Sequence, residues 1–339
     1  ICPEELLGAA VQHFRLGDVR PPGQAAVALY TPDFDRHGWH SPHTVIDVVT
    51  DDMPFLVDSI TMVVYRHGLV IHRLLHPLLA TERNTEGHLQ RTLARGATGS
   101  QPESWIHLEI DRVGDAALLE QLRQEIAGVL VDVRAAVEDV AAIQSCMQQA
   151  YDEMIAVPGP ESDEAGAYLR WIGVNNFVFL GYADYVVNAQ GSALARVDES
   201  GRGILRHDDH PGFGHCLAGF QGAVAELGRD PSPLILVKTD ARSTVHRSAY
   251  LDFIGVKRYG AAGNVVGLRA LVGLYTAHVY HVAATDIPIL RRKITAVREA
   301  IGFIPRSHRD KTLLNVLETY PRDELIEIAQ DDLMAIARG

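Results

Sequence analysis

Two short stretches hold residue types that can do chemistry. One is His207-Asp208-Asp209-His210 with His215-Cys216 close behind. Imidazole and thiolate are zinc donors, so His207, His210, His215 and Cys216 could converge on one ion within a loop. The competing account is a polar surface loop in a chain with 16 histidines, and it is the weightier of the two. The other stretch is Asp51-Asp52-Met53-Pro54-Phe55-Leu56, between a strand pattern and a helical one. A helix N-terminus offers backbone amides to a carboxylate. Asp51, Asp52, Met53 and Phe55 therefore mark a place for a small effector. The acidic pair repels an anion, whereas an amino acid brings its own ammonium. Pro54 removes one amide and Phe55 fills space, so a helix cap with a core aromatic is the structural alternative.

Other charged groups read as ordinary surface. His72 and His76 share a strand face but lie four residues apart, roughly 13 Å at strand rise, too far for one metal. Arg291-Arg292-Lys293 sits on a helix whose apolar face lies elsewhere. It reads as a solvated face, with contact to an acidic partner surface as the functional alternative.

The missing motifs are informative. No GxGxxG follows a strand, and Gly260, Gly263 and Gly267 have the wrong spacing and sit in a hairpin. No GxxxxGK[ST], HExxH or GxSxG occurs. None of the four lysines (Lys238, Lys257, Lys293, Lys311) lies in a glycine-rich strand–helix turn. No catalytic residue and no cofactor-binding residue is assigned to this segment.

Composition narrows the class further. The 339 residues suffice for two or three domains with real cores. A net charge of −12 repels phosphate backbones and argues against nucleic acid as a partner. No apolar run approaches the ~18 residues of a membrane span, and no signal-peptide pattern opens the chain. Cys2, Cys146 and Cys216 form no disulfide framework, which points to a reducing cytoplasm. The chain starts at Ile1 rather than Met and ends in a helical pattern, so it is expected to be a segment of something longer.

The elements that must position these residues follow from periodicity. A helix is expected over Ile1–Phe14, a strand over Ala25–Tyr30 and a buried strand over Thr44–Val49. Asp51 or Asp52 should cap a helix over Pro54–His67, with Leu56, Ile60, Val63 and Val64 facing inward and Gly68 ending it. A strand spans Leu69–Leu79, with Pro77 placing that end at an edge or bulge. Thr81–Pro102 reads as a long loop. In Trp105–Ile110, Ile106, Leu108 and Ile110 face one way and His107 and Glu109 the other. A helical pattern then runs from Asp115 past Gly128 to Ala156. Strand, helix, strand, strand, helix is the order of a ferredoxin-like split βαβ unit, with Ala25–Tyr30 in the place of the missing last strand.

Val157-Pro158-Gly159-Pro160 is the expected domain boundary. Beyond it come a helix at Glu164–Ile172 and strands at Phe177–Val187, Ala193–Val197 and Leu234–Thr239. A hairpin follows: Tyr250–Val256 and Val265–Tyr275 flank Gly260-Ala261-Ala262-Gly263-Asn264, residues that tolerate positive φ. The period then changes. Ile287, Leu290, Ile294, Val297 and Ile301 line one face of a helix capped by Asp286 and stopped at Gly302. Ser307 should cap a second helix and Pro321 open a third.

YLDFIGVKRY, GLYT, IPILRRKI and ETYPRDEL, with DDMPFLVDSI and NFVFLGY upstream, carry a resemblance over most of the chain, about Thr44 to Leu325. In that order these words are similar to the N-terminal, non-catalytic part of the large-subunit class of bacterial NAD-specific glutamate dehydrogenases. One departure is Leu268, where that pattern has an acidic residue before Arg269. The resemblance implies an α+β segment: an ACT-type domain with its extensions over 1–157, a PAS-like antiparallel domain over 161–303, and a helical linker over 304–339. It implies a parent enzyme that deaminates L-glutamate with NAD bound in a separate catalytic domain. For this segment it implies contact with other domains of the same chain, homo-oligomer assembly and an amino-acid effector. Two rivals stand beside it. One is a stand-alone amino-acid-sensing module, and the other a metal-dependent enzyme using His207–Cys216.

Overall fold

The computed structural model describes residues 3–94, 96–97, 100–206, 227, 231–302 and 307–338. Two compact units emerge. One comprises Ile1–Val137 with Thr244–Ser248, the other Glu138–Ser243 with Ala249–Gly339.

The first unit opens with α1 (Pro3–Gly17), β1 (Ala26–Tyr30) and the single turn α2 (Phe34–His37). Then follow β2 (Thr44–Asp51), α3 (Leu56–Arg66), β3 (Ile71–Leu75), β4 (Leu78–Arg83), β5 (Leu89–Leu93) and β6 (Gln101–Ile110). The long helix α4 (Ala116–Ile155) starts here, and its residues from Glu138 onward belong to the second unit. The sheet order is β1-β2-β6-β4-β5, with β3 also on β6, all antiparallel. β1 pairs with β2 in the place expected for the missing fourth strand.

Strand alternation splits the chemistry between the two faces of this sheet. Ile46, Val48, Ile106, Leu108 and Ile110 are fully buried on one face. Asp47, Trp105, His107 and Glu109 occupy the other, and α1 packs there, with His13 and Phe14 about 5 Å from the Trp105 ring. Two glycines permit that approach: a Cβ on Gly8 would collide with Trp39 and one on Gly17 with Trp105.

Three expectations for this unit need correction. Leu69–Leu79 is two strands, because the chain breaks at His76-Pro77: β3 pairs with the end of β6 and β4 with its beginning. Thr81–Pro102 is not a plain loop. Asn84 Oδ1 accepts from the amides of Glu86 and His88, which closes a turn and lets β5 pair with β4. Neither Asp51 nor Asp52 caps α3. Phe55 holds that position in the left-handed region at φ 72° with no side-chain cap bond, because both carboxylates are engaged elsewhere. The inward face of α3 is as expected, with Leu56, Ile60, Val63 and Val64 buried.

The second unit contains α5 (Pro160–Trp171), a π turn to Asn176, β7 (Phe177–Val187), β8 (Leu194–Arg196), β9 (Arg202–Gly203), β10 (Leu234–Arg242), β11 (Tyr250–Tyr259) and β12 (Val265–Tyr275). Its order is β10-β11-β12-β7-β8, with β9 on β7, again antiparallel. The helices α6 (Leu290–Ile301), α7 (His308–Leu317), α8 (Arg322–Glu327) and α9 (Gln330–Arg338) pack into the same core.

The hairpin stands as read, with Gly263 at φ 77°. Gly302 ends α6 in the left-handed region, and Ser307 caps α7 by accepting from the Asp310 amide. Asp286 does not cap α6; it lies in a 3₁₀ turn and Ile289 takes the cap position. Among the described residues no helix is long and apolar enough to cross a membrane.

Candidate functional site

Within the first unit, a cavity of about 490 Å³ lies beneath α1, bounded by the segment 39–43 and by β3, β4 and β6. Its walls are apolar: Leu6, Phe14, Leu75, Leu79 and Trp105. Its polar groups include His13, His43, Arg73, His107 and Glu109. Trp39 also lines it, and its buried indole N–H has no acceptor among the described residues. A mostly apolar cavity with a few convergent polar groups is the usual form of a small-molecule site.

The polar side is centred on residues of α1, β2 and β6. Asp47 interrupts the apolar run of β2 and lies directly opposite His107 of β6. His107 Nδ1 and Asp47 Oδ1 are 2.7 Å apart, and the Tyr30 hydroxyl donates to Asp47 Oδ2 at 2.8 Å. His13 of α1 places Nε2 3.2 Å from the Val48 carbonyl and Nδ1 3.7 Å from Asp47 Oδ1. Beyond His107, Glu109 Oε1 lies 3.7 Å from Nε2; Glu109 also pairs with Arg73 and, at 3.1 Å, with His43. His13, Asp47 and His107 are all buried, with one ligand atom from each within 4.8 Å of the others.

Burial pushes the His13 pKa down, against the opposing pull of Asp47. Burial acts the same way on His107, but the hydrogen bonds and charges of Asp47 and, less strongly, Glu109 together outweigh it and raise that pKa. The Tyr30 phenol is held protonated, by burial first and then by the Asp47 carboxylate. Such an arrangement can hold a proton, a divalent cation or the polar end of a ligand.

The structure does not bring the sequence-predicted residues into this site. Asp51 sits between two guanidiniums, Arg20 and Arg134, each at 2.6 Å. Asp52 accepts from the Ser104 hydroxyl at 2.7 Å. Met53 is half-buried, and the Phe55 ring lies 5.1 Å from that of His246. His207, His210, His215 and Cys216 lie outside the described residues. His67, His72 and His76 go to separate partners: Glu125, Asp111 and Ser104.

Arg291 and Arg292 are not a free basic face, since they pair with Glu164 and Glu161 of α5. Lys293 turns inward to the carbonyls of Ile326 and Ile328. Arg269, despite Leu268 beside it, finds its carboxylate at Glu153 on α4.

Sequence reading missed His13, Asp47, His43 and Tyr30. One signal was present: Asp47 stands alone in Thr44–Thr50, and a lone carboxylate in a buried strand needs a partner.

Comparison with known proteins adds the following. Residues 2–126 match the glutamate dehydrogenase ACT1 domain, and residues 287–339 match the glutamate dehydrogenase helical motif 1. The chain is similar to the NAD-specific glutamate dehydrogenase of Halomonas elongata, 35% identical over 346 residues, covering 99% of this chain and 21% of that protein. The corresponding protein of Pseudomonas aeruginosa is 34% identical, covering 98% of this chain and 21% of its own length. That of Mycobacterium tuberculosis is 30% identical over 98% of this chain and 20% of its length. The chain thus spans about one fifth of the curated relatives it matches. An RNA-binding light-oxygen-voltage receptor aligns at a TM-score of 0.15 and 12% identity, too low to bear on the fold. The cavity lies inside the ACT1 match.

Proposed function

We infer that this chain belongs with the large NAD-specific glutamate dehydrogenases and serves as a regulatory and assembly segment of such an enzyme. The observation that carries this reading is one of proportion. Relatives named for the activity cover nearly all of this chain, while the chain covers about one fifth of them. The segment's sequence holds no dinucleotide-binding fingerprint. The parent reaction would convert L-glutamate, NAD and water to 2-oxoglutarate, ammonia and NADH, with NAD bound outside this segment.

Regulation needs two sites joined by a coupling free energy, typically ~1–3 kcal/mol. The cavity beneath α1 is a better effector site than the turn at Asp51–Leu56, because both carboxylates of the turn already have protein partners. The second unit reads as PAS-like, supported by its six-stranded antiparallel sheet and trailing helices.

The test is direct. The 339-residue chain, incubated with L-glutamate and NAD, should form no NADH, whereas a longer protein containing it should. Glutamate-dependent NADH formation by the chain alone, abolished by a point substitution within it, would overturn the reading.

A further inference from the structure

We propose that His13, Asp47 and His107 form a binding site for one divalent transition-metal ion, zinc first, which ties α1 to the sheet and opens toward the cavity. This does not depend on the proposed parent activity.

The donor set fits. Two imidazoles and one carboxylate are one of the established sets of three protein ligands for a zinc site that keeps a further position open. The orientation of each donor fits as well. A carbonyl can only accept, so His13 Nε2, facing the Val48 carbonyl, carries the proton. In the neutral ring Nδ1 is then a bare lone pair, and it faces Asp47 Oδ1 at 3.7 Å. Two acceptors that face each other favour a cation between them.

His107 presents Nδ1 to the same oxygen, while its Nε2 faces Glu109. A carboxylate behind a liganding imidazole fixes its tautomer and raises its basicity. Asp47 is held by the Tyr30 hydroxyl on its other oxygen. Each of the three ligands thus has an outer partner: a carbonyl, a carboxylate and a phenol.

Zinc–ligand bonds of about 2.0–2.2 Å put neighbouring donors roughly 3.3 Å apart. The 3.7 Å contact needs to close by a few tenths of an ångström and the 2.7 Å contact to open by a little more, while the two imidazole donors, within 4.8 Å of each other, draw together. His13 and His107 line the cavity, which supplies the entry path and room for water or a ligand atom in the remaining position.

The alternative is a metal-free cluster in which a protonated His107 neutralises Asp47. Zinc content and cobalt spectra of the chain, purified without a histidine tag, separate the two. One equivalent of zinc is expected, with a visible cobalt(II) spectrum that lacks thiolate-to-metal absorption. The quadruple variant His207→Ala, His210→Ala, His215→Ala, Cys216→Ala should keep that equivalent, and zinc should raise its melting temperature. Asp47→Asn should lose the metal. Tyr30→Phe, which removes only an outer hydroxyl, should weaken zinc binding about 10–100-fold. The proposal is overturned if the quadruple variant takes up no zinc, if thiolate absorption appears in the cobalt form, or if folded Asp47→Asn retains the metal. Should Asp47→Asn fail to fold, the quadruple variant and Tyr30→Phe still decide.

Discussion

The two units each bury a polar cluster, and the clusters differ in kind. In the second unit, Lys238 lies 2.5 Å from Asp252 and 2.6 Å from Asp323, and Lys293 donates to two carbonyls. Sheet, α6 and α8 supply these groups, and hydrogen bonds within the unit engage each residue, although Asp323 Oδ1 has no hydrogen-bond partner among the described residues. In the first unit, His13, Asp47, His107 and Glu109 sit under a helix that leaves a cavity beside them, and the buried Trp39 indole N–H has no acceptor among the described residues. Burial taxes both clusters. One answers with internal ion pairs; the other is also hydrogen-bonded but has a cavity beside it. The first arrangement specifies a packing, and the second can bind something.

The largest expected effect tests the closed cluster. Lys238→Met leaves Asp252, whose side chain is 3% exposed, without its cation. A loss of about 3 kcal/mol at neutral pH is expected from denaturant unfolding, shrinking in acid as the carboxyl takes a proton. A loss under about 0.5 kcal/mol would mean that this cluster is as loosely held as an exposed pair.

Next comes a pair of substitutions that contrasts space with packing. Ala165 is fully buried in the core of the second unit, so Ala165→Leu should cost about 1–3 kcal/mol by overpacking. Ala9 lines the cavity, and Ala9→Leu should change stability by only about 0.5 kcal/mol. Equal losses in thermal unfolding would erase the distinction drawn between the two regions.

The smallest effect is a slope. Burial first, and then repulsion by Asp252, hold Glu327 up at about 8 despite the attraction of Lys238. The unfolded chain gives up that proton near its ordinary value of 4.5. Between those values the folded protein binds the extra proton, so stability falls as pH rises. Lys293, lowered to about 8 by burial, acts above this window, where its contribution rises with pH. Asp252, Asp323, Lys238, Tyr168 and Tyr275 also surround the cluster, and the raised pKa of Asp252 adds a slope of the same sign. Glu327→Gln should therefore flatten, not abolish, the decline between about pH 5 and 8. An unchanged pH–stability curve would remove Glu327 from the account.

Elements with their own local signals were legible in the sequence. The glycine-rich hairpin turn, the Gly302 stop, the Ser307 cap and the alternation of Trp105–Ile110 all depend on residues a few positions apart. Where expectation failed, a distant partner had intervened. Asp51 looked like a cap, but Arg20 and Arg134, distant in sequence, outbid the helix amides for its carboxylate. Arg291 and Arg292 looked solvated until α5 brought Glu164 and Glu161 to them.

The amino-acid sequence by itself determined the α+β class, the split βαβ order, the antiparallel hairpin and the likeness to glutamate dehydrogenases. These rest on periodicity and on words of neighbouring residues, which the chain carries whatever its folding. Only the tertiary structure decided the site. His13, Asp47 and His107 belong to a helix and two strands, and Asp47 and His107 lie 60 positions apart. No spacing rule joins them. They meet because β2 and β6 pair in one register and because Gly8 and Gly17 let α1 settle onto that face of the sheet.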